Sequence, residues 1–192
     1  MEPDTPGNAP THGDEATMLR GFLDHHRQAL RWKTAGLSAA QLAMPLSCGT
    51  ATGYLSLGGM LKHSAHVEDY WMSYVLRGAA RRAPFDTAPW DDDPEWEWRS
   101  ASADTPAALR AMYDEAVAAS DRLTDEMLAG PDGLDTMAAP GRLVCSLRWV
   151  LLHLLEEYAR ENGHAAVLRE AIDAEAELGA SAAADREFAP VA

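Results

Sequence analysis

Hydrophobic positions recur every three to four residues along four stretches of the chain, and turn chemistry bounds each stretch. Over residues 14–36, Met18, Phe22, His25, Ala29 and Trp32 share a face, and Gly36 supplies a stop. Ser38 followed by Gln41 has the form of a capping box opening a short turn or helix, and residues 45–53 read as a loop. A second helix is expected over residues 54–78, with Met60, His63, Val67 and Tyr70 along one stripe. Its Gly58-Gly59 pair costs roughly 1 kcal/mol per Gly relative to Ala. Close approach by another backbone or by a ligand is therefore expected there. Thr105-Pro106 opens a third helix, a capping hydroxyl followed by Pro at the first helical position. That helix runs to about residue 128, turn residues fill 130–142, and Ser146 caps a fourth helix over residues 147–172.

Between the second and third helices lies a connection over residues 79–104. It holds Arg81, Arg82, a run of acidic residues and the tryptophans Trp90, Trp96 and Trp98. Connections of this length are uncommon in a compact domain unless they do something. It reads equally as a crossover anchored by its tryptophans and as a lid over a pocket, two compatible roles. A short link between helices one and two and a long one between two and three predict an all-α four-helix bundle whose second and third helices run the same way. Helices two and four then lie side by side. Residues 1–13 are expected to be a poorly ordered tail, 14–173 the bundle, and 174–192 a second flexible tail.

Composition narrows the functional classes. The net charge of −14 argues against nucleic acid as a partner. No stretch approaches the ~18 consecutive apolar residues of a membrane span, and the acidic N-terminus lacks the blocks of a signal peptide. A soluble cytoplasmic protein is expected. Cys48 and Cys145 stand far apart without metal-motif spacing and read as reduced thiols.

The candidate chemistry lies on the fourth helix. His153, Glu157, Glu161 and His164 fall within an arc of about 80°, on the face that also carries Val150, Leu154 and Leu168. Ionisable groups on a core-facing stripe need a bound metal or a polar pocket, because burying them unpaired is costly. At ~1.5 Å of rise per residue, His153 and His164 stand roughly 16 Å apart and cannot share an ion. Only neighbours on successive turns can act together, so a second element must contribute. The segment GGMLKHSAHVEDYW offers His63 and His66, and adjacency of helices two and four would bring His63 opposite Glu157 and Glu161.

The segments LGGMLKHSAHVEDYW and SLRWVLLHLLEEYARENGHAAVLREAID, with the DDDPEWEW loop between them, resemble the DinB-like (YfiT-like) metalloenzymes, in particular their mycothiol-transferase-like branch. The resemblance spans about residues 14–173. It implies an up-down-down-up bundle holding a divalent metal on one His of helix two and two residues four apart on helix four. Those positions are His63, Glu157 and Glu161. Glu161 departs from the pattern, which has His there. The resulting donor set is harder and richer in oxygen. Zinc is the first expectation, with nickel, manganese and iron as alternatives.

By resemblance, the function is a metal-dependent S-transferase or thiol-assisted isomerase, in which a mycothiol-like thiol attacks a small electrophile. Glu157 and Glu161 are the candidate catalytic residues, and His153, His164, His66, Trp32 and Trp71 the candidate supporting or substrate-facing ones. His66 is read as a partner of Glu68 or Asp69. A homodimer is compatible with the resemblance. The rival reading is a metal-free bundle that binds a small molecule and uses Glu157, Glu161 or His63 for proton transfer. Two carboxylates one turn apart on a buried face repel, so one would then stay protonated.

Overall fold

The computed structural model describes residues 7–45 and 55–187, with side chains as far as Glu177. Cys48, Tyr54 and most of the loop expected over 45–53 lie outside the described residues. Among the described residues the protein is all-helical: α1 (Glu15–Thr34), α2 (Ala39–Leu42), α3 (Leu57–Glu68), α4 (Trp96–Ser100), α5 (Pro106–Leu128) and α6 (Leu147–Glu187). No helix among them is long and apolar enough to cross a membrane.

The helix starts follow their capping residues. Asp14 accepts from the Thr17 amide at α1, Thr105 from Ala108 at α5, and Ser146 from Trp149 at α6. Ser38 and Gln41 form a complete capping box at α2. The second long helix departs from a uniform α-helix, because the backbone widens into a π-helix over Asp69–Leu76. Eight residues are too few for hydrophobic spacing to separate the two windings. The fourth helix continues past Asp173 to Glu187 through Ala- and Glu-rich sequence of high helix propensity.

Helix α1 packs on α6, α3 on both α5 and α6, and α4 on α3. One buried carboxylate ties the four long helices together. Glu68 of α3 accepts two hydrogen bonds from Arg27 of α1, at 2.7 and 2.8 Å. It also accepts from Ser120 of α5 at 2.5 Å and from Tyr158 of α6 at 2.9 Å. Burial disfavours the Arg27 charge, but the facing Glu68 more than offsets that and holds its pKa well above the ordinary value. Around this network pack Leu23, Leu30, Met60, Leu109, Val150 and Leu154.

Gly58 and Gly59 are sites of close approach. A β-carbon at Gly58 would stand 3.0 Å from the Leu42 carbonyl oxygen. One at Gly59 would stand 2.7 Å from the Trp98 ring. The second contact brings the crossover down onto α3, one turn before His63.

Candidate metal centre

His63 projects from α3, and Glu157 and Glu161 from successive turns of α6. One ligand atom from each lies within 4.8 Å of the others. Donors around a four-coordinate zinc stand roughly 3.3 Å apart, so a side-chain adjustment of about an ångström would close the set. Glu161 is buried and its Oε2 has no hydrogen-bond partner among the described residues. Burial pushes its carboxyl above the usual range, against the opposing pull of His63, His164 and Arg160, while Glu157 adds to the rise. A desolvated carboxylate oxygen without a donor, facing an imidazole and a second carboxylate, is what a cation would satisfy. The residues present therefore fit a divalent ion.

Neighbouring groups fix Glu157. Arg160 binds its Oε2 at 2.8 Å, and the Nε2 of His153 lies 3.6 Å from its Oε1. His153 is itself held between two indoles, stacked on Trp149 at 5.0 Å and edge-on to Trp71 at 4.6 Å. Trp71 and His153 thus stand beside the cluster, and Trp149 joins them. His164 is exposed one turn beyond Glu161 and acts on it through its charge.

Trp32 goes elsewhere, whereas His66 stays beside His63, with the two rings stacked 6.2 Å apart. Trp32 lines a groove of about 310 Å³ with Arg31, Arg110 and Tyr113, and that lining includes none of the three convergent residues. His66 does not pair with Glu68 or Asp69, and this corrects the sequence reading. Its Nδ1 accepts from Arg81 at 2.7 Å, and Arg81 in turn binds Asp69 at 3.1 Å. Glu68 is unavailable because Arg27 occupies both of its oxygens. Phe85 and Trp90 of the crossover pack against the His66 ring. That burial, with the Arg81 charge beside it, holds the His66 pKa down at about 3. The acidic loop is partly tied in as well, since Asp93 pairs with Arg99.

Sequence reasoning missed Glu97 and Trp98. Glu97 is buried, and its Oε1 lies 3.0 Å from His63 Nδ1. Trp98 stacks on the same imidazole at 4.5 Å. Burial pushes the Glu97 carboxyl up, but the His63 hydrogen bond and the nearby imidazoles leave it below the usual range. The signal was present in Trp96-Glu97-Trp98, where a carboxylate between two large aromatics within one helical turn is pulled into the interior with them. The crossover is both an anchored strap and the cover over His63.

Fold and site define a class, an all-helical protein with one imidazole and two carboxylates converging between two long helices. The chain belongs to the mycothiol-S-transferase family, in the DinB-like group, and the family model matches residues 18–174. No functionally curated protein matches the chain. The family's name supports a thiol-transferase kind of function acting on a small molecule.

Proposed function

We propose that this protein is a metal-dependent S-transferase, or thiol-assisted isomerase, in which a mycothiol-like low-molecular-weight thiol attacks a small electrophile. The observation that carries the reading is the convergence of His63, Glu157 and Glu161 ligand atoms within 4.8 Å, in a chain of a family named for thiol transfer. These three residues would hold the divalent ion, zinc first, with nickel, manganese or iron as alternatives suited to two carboxylates. When bound, such an ion supplies the Lewis acidity that lets a thiol lose its proton near neutral pH. Glu161, whose Oε2 has no partner among the described residues, is the group placed to take that proton. Glu157 is kept oriented by Arg160 and His153. Trp71 and His153 form one wall for the electrophile, and His164 offers an exposed imidazole at the rim.

The same reading includes an up-down-down-up bundle with its crossover between α3 and α5. Cross-helix contacts support it. Arg20 meets Asp125 and Arg31 meets Asp114, so α1 and α5 run oppositely. Arg148 meets Glu15 and Arg169 meets the Lys33 carbonyl, so α6 runs with α1. A cytoplasmic setting suits a thiol cosubstrate and the free, buried Cys145. A homodimer belongs to the proposal too, with exposed Leu143, Val144 and Leu152 available to a second copy and sedimentation as its test.

The raised Glu161 carboxyl also favours one rival, a metal-free pocket using that acid for proton transfer. Elemental analysis of protein purified without added metal or a polyhistidine tag separates the two. Stoichiometric metal in wild type, lost in His63→Ala, supports the metal reading, and none in wild type favours the rival. Thiol consumption with an electrophile no faster than the uncatalysed rate would defeat the transferase assignment.

A further inference from the structure

We infer that Glu97 is a positioning residue, which fixes the His63 ring with its proton on Nδ1 and so leaves the Nε2 lone pair free for a cation shared with Glu157 and Glu161. A hydrogen bond of 3.0 Å between the Glu97 Oε1 and the His63 Nδ1 requires one proton between two acceptors. An ionised carboxylate has only acceptor sites, so the ring must supply the donor. The proton therefore resides on nitrogen, and Nδ1–H donates to the carboxylate. In a neutral ring that leaves Nε2 as the lone pair. A carboxylate behind a histidine in this way fixes the ring's orientation and raises its donor strength.

Two features assign Glu97 to this task rather than to holding the crossover in place. Its side chain is buried with Oε2 unpartnered among the described residues, an arrangement that costs stability unless the other oxygen is needed where it is. The crossover has other anchors. Arg81 binds Asp69 and His66, and Lys62 binds Asp104 at 2.6 Å and sits over the Trp96 ring at 4.4 Å. Trp98, the next residue, stacks on the face of the ring whose edge Glu97 holds. One turn of α4 thus grips the imidazole by edge and face. Cation binding at His63 is then linked to the seating of a segment more than thirty residues away in sequence.

The tautomer part of this inference stands without any ion, whereas its consequence for affinity rests on the metal reading above. Both are read on the full chain. Long-range proton–nitrogen NMR of histidine-labelled, metal-free protein reports the His63 tautomer, assigned by its loss in His63→Ala. Wild type is expected to show Nδ1–H. Glu97→Ala should lose that preference, and Glu97→Gln, whose amide can either accept or donate, should give a mixture while keeping the packing. Zinc affinity, measured by competition with a chromophoric chelator, should fall ~10–100-fold in both variants. An unchanged tautomer in both variants, or zinc binding as tight as in wild type, overturns the inference. A wild type that binds no zinc, yet shows Nδ1–H that Glu97→Ala abolishes, sinks the metal reading and leaves the positioning role intact.

Discussion

His66 gives the protein a defined sensitivity to acid. In the folded protein its ring packs against Phe85 and Trp90 and accepts from Arg81, so it resists protonation down to a pKa of about 3. In the unfolded chain the same ring takes a proton at about 6.5. Acid therefore favours the unfolded state. The contribution is fully present above pH ~6.5 and is lost as pH falls toward ~3. Each unit of that window is worth about 1.4 kcal/mol, so lowering pH from 7 to 5 should remove roughly 2 kcal/mol. Against a typical total of about 5–15 kcal/mol, that loss is readily measured. Glu97 pulls in the opposite direction and His63 in the same one, and both remain in a His66→Gln variant. Urea unfolding of wild type and His66→Gln at pH 7, 6 and 5 isolates the imidazole. The variant should lose roughly 2 kcal/mol less than wild type over that range. Equal slopes would mean that the Arg81–His66 contact does not govern the titration.

Other consequences follow from the same contacts. Arg27→Met leaves Glu68 charged and buried with only Ser120 and Tyr158, and should cost about 3–5 kcal/mol in chemical denaturation. Gly59→Ala places a β-carbon 2.7 Å from the Trp98 ring, and should cost about 1–3 kcal/mol and alter tryptophan near-ultraviolet dichroism. Glu161→Gln removes a carboxyl whose pKa rises on folding, and which therefore costs stability as pH climbs through the folded value. The metal-free variant should match wild type in acid and exceed it at pH 8, by thermal melts in the presence of chelator.

The sequence carried the local rules well and the long-range ones poorly. Ser38, Thr105 and Ser146 are caps in both sequence and structure, because capping is decided within four residues. The placing of Glu157 and Glu161 on one face with His63 across from them was also legible, since helical periodicity and one topological step suffice. The partner of His66 was not. Glu68 and Asp69 are its neighbours in sequence, but Glu68 is claimed by Arg27, forty-one residues earlier, and Asp69 by Arg81. Glu97 was overlooked because its partner His63 lies thirty-four residues earlier, and only the flanking tryptophans mark it as a residue carried inward. The π-helical winding over Asp69–Leu76 leaves no mark in a pattern of eight residues.

The meeting of Gly59, Trp98 and His63 also bears on how such chains can diverge. A β-carbon at position 59 and the indole at position 98 compete for the same volume, so a change at 59 calls for a shift or a change at 98. A relative with Ala or Ser at 59 is expected to displace the ring at 98 or carry a smaller one. Having forfeited the stack on the imidazole, it must steady that ring by some other route.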